Sequence, residues 1–164
     1  MKVLKVRNVK TPTRGTSKSA GIDFYVPSDF QPTVLHPHCD ILIPSGIKSS
    51  FGENLMLMAA EKSGVATSTP AVVASGRQPK EDGYYSPTVL GAKIVDEDYQ
   101  GEIHIHIINL GNQDITIMPD KKIAQFILVP VVYDSIEEVT SEDELFSGIT
   151  TERGEGGFGS TGEE

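Results

Sequence analysis

The segment from Arg153 to Gly162, RGEGGFGSTG, carries five glycines, two hydroxyls, one guanidinium and one large side chain, Phe158. Glycines let consecutive backbone N–H groups converge on an anion, Ser160 and Thr161 add hydroxyl donors, and Arg153 presents a planar fork to phosphate oxygens. Phe158 has no core to join in such a segment, which suits stacking against a planar ligand. A flexible, solubilising tail is the competing reading. The segment is not a P-loop, because Gly-Lys-Ser/Thr is absent and no helix follows.

A second group is Asp96-Glu97-Asp98, between Gly91-Ala92-Lys93-Ile94-Val95 and Tyr99-Gln100-Gly101. Carboxylates this close raise one another's pKa, so the cluster is costly without a cation or a task. Asp96 directly follows two β-branched residues and stands at a strand end, where a general base can hold a water in line with an electrophile. An ordinary acidic turn is the alternative. Lys62-Ser63-Gly64, after the apolar run Leu55 to Ala60, can offer an ammonium, a hydroxyl and backbone N–H groups to a phosphate. Lys121-Lys122-Ile123-Ala124-Gln125 places two bases and an amide ahead of an apolar strand. Each of these two is a weak signal by itself. His36-Pro37-His38-Cys39 is split by proline and lacks a fourth ligand nearby, so it reads as a surface turn before it reads as a metal site.

Segments of this kind need a scaffold that holds loop ends in place. Ten prolines scattered through 164 residues leave few windows for a long helix. The clearest strand is Glu102 to Ile108, where Ile103, Ile105 and Ile107 alternate with Glu102, His104 and His106. Further strands are expected at Lys2 to Val9, Ile22 to Val26, Ile41 to Ile43, Leu55 to Ala60, Ile115 to Met118 and Ile123 to Val132. Their count and spacing predict an all-β sandwich or barrel, with residues 91–102 forming a hairpin whose turn carries the carboxylates. One domain over 1–150 is expected, followed by an arm over 151–164. Residues 67–87, rich in Ser, Pro and Gly, are too many for an ordinary connection and read as a functional loop or an inserted hairpin.

The formal charge of -9 argues at first against any polyanionic ligand. Residues 134–164, however, hold ten acids against the single base Arg153, so residues 1–133 carry no net charge. The distribution excludes a nucleic-acid-coating surface and leaves the body free to carry a local anion site. One Cys excludes an intrachain disulfide, and no apolar stretch approaches a signal core or a membrane span. A cytoplasmic protein with no membrane and no nucleic-acid partner is expected.

Ala20-Gly21-Ile22-Asp23, Lys62-Ser63-Gly64 with Ala66, Val95 to Gly101, Ile123-Ala124-Gln125 and Arg153 to Gly162 follow one another in the order of five short motifs. Across residues 20–162 the chain thereby resembles the trimeric deoxyuridine triphosphatase (dUTPase) family. The resemblance implies a jelly-roll-like distorted β-barrel subunit, a homotrimer with shared active sites, and a mobile Gly-rich C-terminal arm. It implies hydrolysis of dUTP to dUMP and pyrophosphate, limiting uracil incorporation into DNA and supplying dUMP for dTMP synthesis. Asp96 would be the catalytic residue, deprotonating the water that attacks the α-phosphorus. Tyr99 would pack against the deoxyribose and leave no room for a 2′-hydroxyl. Backbone groups around Gly91 and Ala92, running on through Ile94 and Val95, would read uracil together with His104 across the turn. Lys62, Ser63, Gly64 and Gln125 would hold the phosphates. From a neighbouring chain, Phe158 would stack on uracil, Arg153 would meet the phosphates, and Gly159, Ser160 and Thr161 would grip the γ end. The implied cofactor, Mg²⁺, would ride on the triphosphate and meet Asp23 through water.

The chain departs from the family pattern in four places. Lys62 stands where Arg is usual, which keeps the charge and loses the bidentate fork. Lys93 replaces a Gly three residues before the catalytic Asp, Pro119-Asp120-Lys121-Lys122 lacks a customary Gly, and the excess length of 67–87 is unusual. The departures at Lys62 and Lys93 and the extra length of 67–87 motivate a second reading, a dUTPase-like regulatory protein binding a protein partner through 67–87, and a third is a dCTP deaminase-related enzyme of the same fold.

Overall fold

The computed structural model describes residues 1–62 and 88–156, and these residues are nearly all β. The insertion expected at 67–87 lies outside the described residues. The chain divides into two compact units, Met1–Val132 and Tyr133–Glu164. The first holds β1 (Lys2–Lys5), β2 (Thr13–Arg14), β3 (Ile22–Tyr25), β4 (Thr33–Leu35), β5 (Asp40–Pro44) and β6 (Ile47–Ser50). It continues with β7 (Leu55–Ala60), β8 (Thr88–Leu90), β9 (Ile94–Val95), β10 (His104–Asn109), β11 (Ile115–Ile117) and β12 (Lys122–Pro130). All seven strands expected from sequence are present. The additional ones are short, two to four residues each, and are defined by their partners more than by their own patterning.

Two sheets matter for the site. One has the order β2-β3-β12-β7-β9 and the other β5-β10-β8. β12 lies in the middle of the first sheet, paired with β3 on one side and β7 on the other. Its almost continuous apolar run reflects cover on both faces: Ile123, Ala124 and Phe126 are buried, and Ile127, Leu128 and Val129 are half-buried. β10 shows the expected alternation, with Ile105 and Ile107 buried and His104 exposed. The core gathers Ile103, Ile105 and Ile107 with Phe24, Ile43, Ile47, Leu57, Ile115, Ile117 and Phe126, and the Phe24 and Phe126 rings meet at 4.5 Å between centroids.

The expected hairpin over 91–102 does not form. β9 pairs with β7, whereas β10 pairs with β5 and β8, so the chain crosses from one sheet to the other between Gly91 and Lys93. Gly91 N–H still donates to His106 O at 3.0 Å, as an extension of the β8–β10 ladder, while Lys93 O already accepts from Ala59 N–H on β7 at 2.6 Å. The carboxylate turn then returns the chain to β10.

The second unit contains α1 (Glu142–Phe146), which the proline distribution did not predict. Ser141 caps it, its Oγ accepting from Glu144 N–H, and the Glu144 carboxylate accepts from Thr140 N–H at 3.0 Å. The Ser-x-x-Glu spacing that signals such a start is legible in the sequence, and three acids in the first turn complement the helix dipole. Among the described residues no helix is long and apolar enough to cross a membrane.

Candidate active site

Asp23 is the organising group of the first half of the site. Ile22 and Phe24 point into the core, so Asp23 faces the other way, yet it is only 4% exposed. Its Oδ2 accepts from Lys122 Nζ at 2.7 Å and its Oδ1 lies 3.3 Å from Lys62 Nζ. Gln125, paired with Asp23 across β3–β12 and with Ala60 across β12–β7, donates from Nε2 to Glu61 O at 3.0 Å. A β-bulge makes this convergence possible. Lys122 pairs with Tyr25 and Ala124 with Phe24, one residue out of register. Without the extra residue, Lys122 and Gln125 would fall on opposite faces; with it, both face the row of Asp23 and Tyr25. Gly21 completes the corner, because a Cβ there would overlap the Gln125 side chain.

The electrostatics follow from this packing. The hydrogen bond and charge of Asp23 raise the pKa of Lys122 against the opposing effect of its partial burial. Burial pushes the Glu61 carboxyl up, but hydrogen bonds with its own backbone and Leu90, and the ammonium of Lys93, more than offset this and hold it below its ordinary value. The result is two ammonium groups set on one buried carboxylate, a preformed cationic corner. Asp23 does not fit a direct metal-ligand role here, since both of its oxygens face ammonium groups. Among the described residues no three His, Cys, Asp or Glu side chains come together as a metal-binding group. The His36 to Cys39 segment is a turn as expected, with Cys39 N–H donating to His36 O and His36 paired to Asp114 at 2.8 Å.

The second half is the turn after β9. Asp96 is exposed, and its carbonyl accepts from Tyr99 N–H at 3.2 Å to close the turn. Glu97 points back to β7, accepting from Leu55 N–H at 3.3 Å, and thereby pins the loop. Tyr99 is 46% exposed and donates through its hydroxyl to Glu102 O at 3.0 Å. Gly91 and Ala92 lie at the sheet crossover, followed by Ile94 and Val95 in β9. His104 Nδ1 is 2.9 Å from Glu102 O, two residues short of the position across from Gly91. That position belongs to His106, whose ring lies against Gly91 so closely that a Cβ on the glycine would overlap it, and whose Nε2 is 2.8 Å from Asp40 Oδ2.

The two halves are apart within one chain. Val95 pairs with Leu57, which places Asp96 level with Met56, whereas Asp23 and Gln125 are level with Ala60. Four residues along the strands and three strand spacings across them amount to roughly 13 Å by about 14 Å. Of the expected site residues, Asp23, Lys62 and Gln125 therefore come together, and so do Gly91, Ala92, Ile94, Val95, Asp96, Tyr99 and His104. The first set does not meet Asp96 in the same chain. Lys122, from the tandem bases ahead of Gln125, and His106, from the polar face of β10, join these groups although neither was among the expected site residues; a bulge is not written in a hydropathy pattern. Arg153 belongs to the second unit, where Gly156 O accepts from its Nε at 2.8 Å and Gly154 takes a left-handed φ of 49°. Ser63, Gly64, Phe158, Gly159, Ser160 and Thr161 lie outside the described residues.

Comparison with known proteins gives this geometry a context. The dUTPase family profile matches residues 76–162. A deoxyuridine 5′-triphosphate nucleotidohydrolase of Ehrlichia canis is 33% identical over 165 residues, covering 99% of this chain and 94% of that protein. Among solved structures, a Staphylococcus bacteriophage 80alpha dUTPase with dUpNHpp superposes with a TM-score of 0.73 at 21% identity, covering 99% of this chain and 98% of that one. A mutant dUTPase from phage phi11 of S. aureus, described as revealing the coordination of a structural Mg(II) ion, gives a TM-score of 0.64 at 18% identity, covering 87% and 97%. The phage structures share the fold, and neither the regulatory nor the deaminase reading is favoured by any of these similarities. Being 33% identical to a nucleotidohydrolase over nearly the full length of both chains, and matching the family profile over more than half its residues, the chain belongs to the dUTPase family.

Proposed function

We infer that this chain is a dUTP diphosphatase that cleaves dUTP to dUMP and pyrophosphate, working as a homotrimer in which each active site draws on several chains. The observation that carries the reading is the split between the Asp23, Lys62, Lys122 and Gln125 corner and the Asp96 turn. A general base must stand within a hydrogen bond, or one water, of the attacked phosphorus. A triphosphate does not bridge a gap of roughly 20 Å. This separation supports a site that each chain completes with a second copy.

In this reading Asp96, solvated on a pinned turn, takes the proton of the water that attacks the α-phosphorus, and pyrophosphate leaves in line. The bond formed is water oxygen to α-phosphorus; the bond broken joins that phosphorus to the bridging oxygen. Lys62 and Gln125, with Ser63 and Gly64, hold the phosphates of a neighbour's substrate, and Lys122 adds a second positive charge. Preset ammonium groups suit phosphoryl transfer, where positioning and charge neutralisation supply most of the rate. Gly91, Ala92, Ile94, Val95 and His104 bound uracil, and Tyr99 packs on the deoxyribose. Arg153, Phe158, Gly159, Ser160 and Thr161 close over the nucleotide from a further chain. Mg²⁺, if carried by the triphosphate, would supply charge neutralisation, and Asp23, whose oxygens face Lys62 and Lys122, would meet it only through water. The exposed, unpaired-by-disulfide Cys39 fits a reducing cytoplasm.

Pyrophosphate release from purified protein with Mg²⁺ across dUTP, dCTP, dTTP and UTP tests this function. A preference for dUTP is expected, and Asp96→Asn should lower kcat by about a thousandfold. Equal turnover of the four nucleotides, or full activity in that variant, would overturn it.

A further inference from the structure

Tyr99 presents a problem of positioning. A half-exposed ring has few packing neighbours to fix its two torsions, yet a residue that rejects a single hydroxyl on a sugar must not move by an ångström. The structure supplies two constraints. The ring end lies over Gly101, where any Cβ would overlap it, and the hydroxyl donates to Glu102 O. The ring is therefore held as firmly as Glu102 itself.

Glu102 is unusually well held. Its Oε1 accepts from Arg7 Nε at 2.8 Å and from Gly46 N–H at 2.7 Å, and Oε2 lies 3.3 Å from Arg7 Nη2. The next residue, Ile103, is 1% exposed; its N–H donates to Ile47 O at 2.9 Å and its carbonyl accepts from Ser45 N–H at 3.0 Å. Arg7 is tied to the same corner, because Val6 N–H donates to Gly46 O at 2.8 Å. Gly46 adopts a left-handed φ of 73°, and a Cβ there would press on Val9 and Arg7, so the corner requires glycine. The Glu102 carbonyl has two lone pairs, enough for both the Tyr99 hydroxyl and His104 Nδ1.

We propose that Glu102, clamped by the Arg7 guanidinium, is the positioning residue that fixes Tyr99 and thereby sets the enzyme's rejection of substrates bearing a 2′-hydroxyl. It rests on the reading above, in which Tyr99 meets the sugar. An ion pair joining residues 95 apart in sequence thus controls a specificity element that touches neither partner's charge. Burial alone would push the Glu102 carboxyl up, but the Arg7 hydrogen bond, the Gly46 N–H and the Arg7 charge outweigh it, so the pair stays ionised at neutral pH.

The test compares kcat/KM for dUTP with that for UTP in the full-length wild type, Glu102→Gln, Arg7→Met, Arg7→Lys and Tyr99→Phe. The dUTP-to-UTP ratio should fall roughly ten- to a hundredfold in Glu102→Gln, Arg7→Met and Tyr99→Phe. Arg7→Lys should retain part of the ratio, having kept the charge and lost the fork. Because one folded population turns over both nucleotides, the ratio does not respond to lost folding. Should Glu102→Gln fail to fold, the Arg7 variants read the same effect from the exposed end of the pair. An unchanged ratio in variants that merely melt earlier would assign the pair to stability alone and overturn the proposal. A wild type that turns over dUTP with no preference against UTP would instead remove the reading on which it rests.

Discussion

The corner around Asp23 and the turn around Asp96 solve opposite problems. The corner is long-range: Lys122 reaches Asp23 across 99 residues and Gln125 reaches Glu61 across 64. Its carboxylate is buried and neutralised from two sides. The turn is exposed and closed locally, by Tyr99 N–H on Asp96 O and by the Tyr99 hydroxyl three residues on, and is tied to the rest of the chain by Glu97 on Leu55 N–H and by the Glu102–Arg7 pair. The buried Asp23 carboxylate keeps the Lys62 and Lys122 ammonium groups in place. Asp96, by contrast, is open to solvent at the end of β9. The two regions also differ in what anchors them. Among the described residues every buried side-chain nitrogen and oxygen has a hydrogen-bond partner, and those of the corner come from neighbouring strands and the residues that follow them.

Subunit mixing offers the largest effect that could break this comparison. Asp96→Asn and Lys62→Ala chains should each be nearly inactive alone. Unfolded and refolded together, they should recover part of the wild-type rate, since some mixed trimers place an intact turn beside an intact corner. No recovery, despite mixed assemblies seen by native mass spectrometry, would put both halves of a site in one chain. A smaller effect is expected at the corner itself. Asp23→Asn leaves two ammonium groups facing a neutral amide and should cost about 1–2 kcal/mol in urea unfolding, discounted because both lysines are partly exposed. The same variant should raise KM for dUTP more than it lowers kcat, and a reversed pattern would argue that Asp23 acts at the reacting centre.

The smallest effect is a pH dependence at the turn's own long-range tie. The Glu102 carboxyl is held below its ordinary value in the folded protein, with burial opposing and Arg7 and Gly46 prevailing. A depressed folded pKa contributes stability that is complete above the unfolded value, about 4.3, and is lost as pH falls through the folded value. The stability gap between wild type and Glu102→Gln should therefore be constant from neutral pH to about 5 and narrow below about 4. A gap that stays constant into acid would show that the pair contributes nothing through its charge.

Much of this was legible in the sequence. Alternation identified β10, and the apolar runs identified β7 and β12, because burial on one or both faces leaves a direct imprint on residue choice. The order of the five segments pointed to Asp96, Lys62 and Gln125. The hairpin expectation failed because β9 is two residues long and its pairing partner lies more than thirty residues earlier in the chain; a strand that short takes its sheet from its surroundings. The proline argument addressed only long helices, whereas α1 is five residues long, and its Ser141 and Glu144 capping spacing is present in the sequence.

By itself the sequence determined which groups are available: a solvated aspartate at a strand end, a tyrosine two residues from a glycine, bases beside an amide, and a glycine-rich arm. Local chemistry and period-two burial are sequence properties, so they survive without coordinates. Tertiary structure alone decided which of those groups face one another. A single bulged residue in β12 put Lys122 beside Gln125 and onto Asp23, and the β7–β9 register put Asp96 far from them. Register and bulges are set by the simultaneous packing of several strands. No one segment encodes that outcome, and it is what separates the Asp23 corner from the Asp96 turn within one chain.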